Sequence, residues 1–328
     1  MKRLHGGPDG GPALRWDFSV NANACGPCPP ALAALQRADR SRYPDPAYTA
    51  LRQTLARFHG LPAWRVLVGG SASELILRIS QRAARGGVRR VWWPAAAYGD
   101  YGHAAGVAGL QRCDRPDRAG LVWLCEPASP TGQAEPLLAT APRGLRASSA
   151  WWVLDAAYEP LRLSGAPSLG PAERDALWQL WTPNKALGLT GVRAAYALAP
   201  VHARDEVDAL EAAAPSWVLG ADGVALLTAW TSPGVQRWLA DSLPVLRDWK
   251  ARQLAWLHQQ GWTCLPGDTP FMCVQPPAGL DLSPLRARGI ALRDATSLGL
   301  PGWWRMAVLP PMATAALATA LDGCGVGA

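Results

Sequence analysis

Residues 66–93 read VLVGGSASELILRISQRAARGGVRRVWW, and the change of period along them decides the fold. Val66-Leu67-Val68 is a short apolar strand, Glu74 to Ala84 has the spacing of a helix, and Val88 to Trp93 is a second strand ended by Pro94. The alternation continues downstream with a helix over Tyr101 to Val107 and strands at Leu121–Cys125, Trp151–Leu154, Leu177–Trp181 and Ala194–Leu198. Short apolar strands separated by helical stretches predict an α/β fold, a mainly parallel sheet covered by helices on both faces. Upstream, the Gly, Pro and Asn of residues 1–30 predict an extended arm, and helices follow at Ala31–Ala38 and 47–59. Beyond residue 203 the pattern is helical to residue 260, with a break at Ala214-Pro215-Ser216-Trp217. Phe271–Gln275, Ala291–Arg293 and Arg305–Val308 then predict the strands of a smaller α+β unit. The expected division is an arm over 1–30, a large domain over 31–205, and an interdomain helix with a small C-terminal domain over 206–328.

The chain has 328 residues, 49% of them apolar and 17% charged, which excludes wholesale disorder. No apolar run is long enough to span a bilayer. The start, Met1-Lys2-Arg3-Leu4-His5, is basic but lacks the apolar stretch of a secretory signal, so a cytoplasmic enzyme is expected. Of the 32 basic residues only three are lysines, Lys2, Lys185 and Lys250. The arginines are scattered rather than striped, which argues against nucleic acid and for a small anionic substrate. Seven cysteines at irregular spacing give no disulfide framework. Cys25-Gly26-Pro27-Cys28 has thioredoxin-like spacing, but Asn21-Ala22-Asn23-Ala24 precedes it where a strand would be needed, so two cysteines in a proline-rich loop is the preferred reading. No second such pair completes a metal site. The 17 tryptophans, several in pairs, predict core packing only.

The chemistry gathers where strands end, which is where open parallel sheets bind ligands. Asp155 follows Trp151-Trp152-Val153-Leu154, Tyr158 lies three residues on, and Lys185 comes thirty residues after Asp155. Arg193 follows across the turn Gly188-Leu189-Thr190-Gly191. An acid, a phenol, a lysine and an arginine at such places match pyridoxal phosphate, which needs a lysine for its Schiff base and a carboxylate against its ring nitrogen. Lys185 alone would read as a loop lysine paired to an acid; the joint spacing favours the cofactor.

Asp155-Ala156-Ala157-Tyr158, Thr182-Pro183-Asn184-Lys185-Ala186-Leu187-Gly188-Leu189 and Gly191-Val192-Arg193 resemble the core motifs of fold-type I, class I/II aminotransferase-like enzymes. Pro127-Ala128-Ser129-Pro130-Thr131-Gly132 resembles their Asn-Pro-Asn-Asn-Pro-Thr-Gly loop. The resemblance runs from about residue 5 to residue 310. It implies that Lys185 carries the cofactor and moves protons at the substrate's Cα, that Asp155 keeps the ring nitrogen protonated, and that Tyr158 bonds the 3′-oxygen. It also implies a phosphate cradle of Ser71, Ala72, Ser73, Thr182 and Arg193, with Tyr98 stacked on the ring. Two positions depart from the pattern: Ser129 stands for an asparagine that helps hold the 3′-oxygen, and Asn184 for the usual serine before the lysine. Arg42-Tyr43-Pro44-Asp45-Pro46 resembles the segment that crosses a homodimer to the neighbour's cofactor phosphate, so Tyr43 is expected to act there.

The substrate end is implied by the same resemblance. Arg305 falls where the superfamily grips a substrate carboxylate, and Arg293 matches a second family arginine. His5-Gly6-Gly7 with Asp17-Phe18-Ser19-Val20-Asn21-Ala22-Asn23 resembles the opening of the threonine-phosphate decarboxylases, relatives of the histidinol-phosphate aminotransferases. That implies His5 and Asn21 over a substrate phosphate. The expected reaction is decarboxylation of L-threonine O-3-phosphate to (R)-1-amino-2-propanol O-2-phosphate in cobalamin biosynthesis; the alternative is transamination of a phosphorylated amino compound such as histidinol phosphate.

Overall fold

The computed structural model describes residues 6–8, 10–140 and 149–322. In chain order the strands are β1 (Trp16–Asp17), β2 (Val66–Gly69), β3 (Arg90–Trp92), β4 (Gln111–Arg112), β5 (Leu121–Cys125), β6 (Trp151–Asp155), β7 (Trp178–Trp181) and β8 (Ala195–Leu198). After them come β9 (Thr263–Cys264), β10 (Phe271–Gln275), β11 (Ile290–Ala291), β12 (Arg293–Asp294) and β13 (Trp304–Ala307). The helices of the first part are α1 (Pro29–Gln36), α2 (Thr49–His59), α3 (Ala72–Arg85), α4 (Gly99–Val107), α5 (Pro136–Thr140), α6 (Pro171–Arg174) and α7 (Pro183–Ala186). Those of the second are α8 (Arg204–Ala212), α9 (Ala221–Trp230), α10 (Pro233–Gln259) and α11 (Pro311–Asp322).

Seven strands form the main sheet in the order β2-β8-β7-β6-β5-β3-β4. All run the same way except β8, which is antiparallel to both its neighbours. The sequences of β5 (LVWLC) and β8 (AYAL) do not alternate because both strands are buried along their whole length. Helix α3 packs on this sheet through Leu75, Ile76, Ile79 and Ala83. Its start is fixed by Ser71, whose hydroxyl accepts from the Glu74 amide at 3.1 Å. Helix α2 ends where Gly60 takes up a left-handed φ of 67°.

A second, antiparallel sheet has the order β12-β13-β10-β9. Its core contains Phe18, Leu257, Trp262, Met272, Met306 and Leu317. Helix α10 links the two layers, burying Leu239 and Leu246 with the main-sheet core and Leu257 with the second.

Several elements depart from the sequence reading for local reasons. Strand β3 begins only at Arg90, because the Val88 amide is spent on the Ala83 carbonyl at the end of α3 (3.0 Å). Helix α1 begins at Pro29 rather than Ala31, since prolines in the first turn lose no helical hydrogen bond. The single strand expected at Ala291–Arg293 is two: β11 pairs in parallel with β1, and β12 pairs with β13 in the other sheet. Strands β1 and β11 form a two-stranded sheet of their own, and the arm is tied to the second sheet just after β1, where the Ala307 amide of β13 donates to Phe18 O at 2.8 Å. Several tryptophans pack in the core, with Trp123 and Trp230 fully buried and Trp151 stacked on Trp178 at 5.7 Å, but Trp217 is 42% exposed, against the expectation of core packing only. Among the described residues no helix is long and apolar enough to cross a membrane.

Candidate active site

A cavity of about 1060 Å³ opens at the carboxyl ends of the central strands. Strand register sets its floor, because Cys125 and Asp155, the last residues of β5 and β6, are direct partners. Asp155 is buried; its Oδ2 accepts from the Tyr101 hydroxyl at 2.8 Å and its Oδ1 from the Ala157 amide at 3.0 Å. Burial pushes the Asp155 carboxyl above its usual range. The Lys185 charge, Tyr101 and the Ala157 amide oppose that rise, and the nearby Asp100 adds to it.

Lys185 sits in the short helix α7, started by Pro183 just beyond β7. Its Nζ donates to Thr182 Oγ1 at 3.4 Å and lies 5.5 Å from the centre of the Tyr158 ring. The turn after it requires glycine: Gly188 has a φ of 65°, and a Cβ there would lie 2.5 Å from the Gly26 carbonyl oxygen. The Cys25–Cys28 loop thus backs the lysine turn, with the Asn23 amide donating to Lys185 O (2.9 Å) and the Cys28 amide to Leu187 O (2.8 Å). Both cysteines are free, and burial pushes both thiols up, opposite to what thiolate redox chemistry needs.

Ser71, Ala72 and Ser73 line the cavity at the start of α3, where free amides favour an anion. Thr182 and Arg193 line it too, and exposed Arg193 also borders a neighbouring depression. Tyr98 lines the wall; its hydroxyl donates to Asp100 Oδ2 at 2.9 Å and lies 3.2 Å from Ser73 Oγ.

At the other end Arg293 and Arg305 face each other across β12 and β13, both buried. Burial and the Arg305 charge lower the Arg293 pKa. Arg293 donates to Asp294 O and Ser297 Oγ, each at 2.8 Å. Arg305 Nη2 donates to Ser19 O at 2.9 Å, its Nη1 is 3.5 Å from Ser129 Oγ, and its buried Nε has no partner among the described residues. Asn21 lines the same end, and neither its amide oxygen nor its amide nitrogen has a partner there. Gly6, Gly7 and Pro8 of the arm close this side.

The structure therefore brings together Asn21, Ser71, Ala72, Ser73, Tyr98, Ser129, Asp155, Tyr158, Thr182, Lys185, Arg193, Arg293 and Arg305. His5 lies outside the described residues. Tyr43 is not in this cavity; it is 77% exposed, stacks on Trp217 at 4.4 Å, and borders the depression beside Arg193. Sequence reasoning missed Tyr101 and Asp100 as site residues. The signal available was Tyr101 three residues after Tyr98, a spacing that brings two residues of a helix start to one side.

The sequence signature of the family described as aminotransferase class I and II matches residues 16–323. The chain belongs to that family. One curated relative of this family member is the histidinol-phosphate aminotransferase of Granulibacter bethesdensis, 27% identical over 318 residues, covering 89% of this chain and 84% of the relative. Among solved structures, the histidinol-phosphate aminotransferase of Sinorhizobium meliloti in complex with pyridoxal-5′-phosphate superposes with a TM-score of 0.80 at 22% identity, covering 94% of this chain and 90% of that one. L-threonine-O-3-phosphate decarboxylase from Porphyromonas gingivalis superposes with a TM-score of 0.75 at 21% identity, covering 93% and 98%. The expected fold-type I architecture is thereby established for this aminotransferase-family chain.

Proposed function

We propose that this chain is a pyridoxal 5′-phosphate enzyme acting at the amino-bearing carbon of a small amino compound that carries a second anionic group. The observation that carries this is one cavity joining Lys185 and buried Asp155 to Arg293 and Arg305. The residues fit the cofactor: a buried carboxylate needs a positive partner to justify its desolvation, and a protonated ring nitrogen supplies one.

When bound, pyridoxal phosphate supplies an electron sink for the pair released as a bond at that carbon breaks. Lys185 holds the cofactor and then moves the proton at the substrate's Cα. Asp155 would hold the proton on the ring nitrogen, Tyr158 and Ser129 would bond the 3′-oxygen, and Tyr98 would pack on the ring. The amides of Ser71, Ala72 and Ser73, with Thr182 and Arg193, hold the cofactor phosphate. Arg305 orients a carboxylate with its planar fork, and Arg293, Asn21 and His5 take the further anion. The same proposal includes the division at residues 30 and 205, and a homodimer in which Tyr43 reaches the neighbour's cofactor phosphate. A catalytically competent monomer by light scattering would contradict the dimer.

Two reactions use this apparatus. Transamination of a phosphorylated amino compound such as histidinol phosphate has the stronger backing, since curated relatives from Granulibacter bethesdensis and Thiobacillus denitrificans carry that name. Decarboxylation of L-threonine O-3-phosphate, the reaction first expected, draws support from the arm, whose Gly6, Gly7, Ser19 and Asn21 all line the cavity. The two differ in which Cα bond is held perpendicular to the cofactor ring. Incubation with L-threonine O-3-phosphate separates them: CO2 and an amine without keto acid mark the decarboxylase. Glutamate formed from 2-oxoglutarate with histidinol phosphate consumed marks the aminotransferase.

A further inference from the structure

Tyr101 is buried completely, lies parallel to Trp123 at 5.2 Å and 8°, and meets the Tyr98 ring edge-on at 5.8 Å. So confined, its hydroxyl has one direction, toward Asp155 Oδ2 at 2.8 Å. The Ala157 amide takes Oδ1. The carboxylate is thus gripped at both oxygens from the protein side before any ligand arrives.

We propose that Tyr101 is a positioning residue for Asp155, fixing the rotation of its carboxylate and helping it stay charged, so that the bound cofactor's ring nitrogen stays protonated. The inference rests on the pyridoxal phosphate reading above. The groups that face Asp155 are Tyr101 and Asp100 from helix α4, Tyr98 at the cap of that helix, Cys125 from β5 and Lys185 from α7. Asp100 and burial favour the neutral acid; Lys185 and Tyr101 favour the anion. Burial and the Asp155 charge raise the Tyr101 phenol well above its ordinary value, so it remains a donor throughout the working range. Cys125 spends its thiol on Pro127 O at 3.3 Å, and burial raises it also. Tyr98 spends its hydroxyl on Asp100, whereas Tyr101 donates to Asp155 itself and is neutral, so its loss changes no charge.

Tyr101→Phe deletes the hydroxyl and keeps the ring on Trp123. The experiment loads wild type, Tyr101→Phe and Asp155→Asn with pyridoxal phosphate labelled with 15N in the ring and records the nitrogen's chemical shift across pH. Wild type is expected to show a protonated nitrogen over the whole range. In Tyr101→Phe the shift should move toward the unprotonated value at lower pH than in wild type, with kcat down about tenfold and KM nearly unchanged, as loss of a charged hydrogen bond implies. Asp155→Asn sets the unprotonated limit. An unchanged nitrogen titration in Tyr101→Phe, with normal melting temperature, overturns the proposal. Failure of wild type to bind the cofactor at all overturns the underlying reading instead.

Discussion

At the end of the cavity proposed for the cofactor, three polar side chains are already held by the protein: both Asp155 oxygens accept, Lys185 donates to Thr182, and Tyr98 donates to Asp100. At the end proposed for the substrate, Asn21 has no partner at either amide atom and Arg305 has none at Nε among the described residues, although both are buried. Buried polar groups without partners are costly and uncommon in folded proteins. The contrast shows which surfaces the fold preorganises and which it leaves for a ligand to complete. A cofactor that stays bound can be matched once by a rigid wall. A substrate that enters and leaves needs donors and acceptors kept open for it.

The largest effect expected on this comparison is at Lys185. Lys185→Ala should lower turnover by roughly a thousandfold or more, because it removes both the cofactor anchor and the proton carrier. Turnover within tenfold of wild type would move the chemistry elsewhere. Gly188→Ala tests the preorganised end through its backbone. With a φ of 65° and the Gly26 carbonyl in the way, it should destabilise the fold by about 2–3 kcal/mol, read by urea melts. A neutral result would show that the loop behind Lys185 is not rigid.

At the open end the signs differ. Arg305→Lys keeps the charge but loses the planar fork, and should cost about 1.5–3 kcal/mol in kcat/KM, with much of it on kcat. Asn21→Ala is the smallest effect: KM should rise by a few fold for a phosphorylated substrate and hardly at all for its unphosphorylated analogue. Its melting temperature without ligand should stay near wild type, because the amide makes no hydrogen bond to any described residue. A clear fall in that temperature would show that the substrate end, too, is held by the protein alone.

Much of the strand framework around the proposed cofactor end was legible in the sequence because its parts are local. Leu121–Cys125 is a strand with the expected ends, and Asp155 closes, and Lys185 follows, strands whose short apolar runs make them readable. Their meeting depends on parallel pairing, which the strand–helix alternation predicts. Tyr101 was read only as the first residue of a helix, since its bond to Asp155 spans 54 residues and leaves no local mark. The split at Leu292 was equally hidden: Ile290–Ala291 answers to β1, far away in the arm, and Arg293–Asp294 to β13. Two-residue strands have no period of their own to read.

The central claim, that Lys185 binds pyridoxal phosphate at the preorganised end of this cavity, has a direct measurement. Purified protein is loaded with the cofactor, reduced with borohydride to make the lysine linkage permanent, digested, and its peptides are weighed. The account predicts a single pyridoxyl-phosphate adduct, on the peptide containing Lys185. An adduct on Lys2 or Lys250, or no adduct in folded protein, would contradict it.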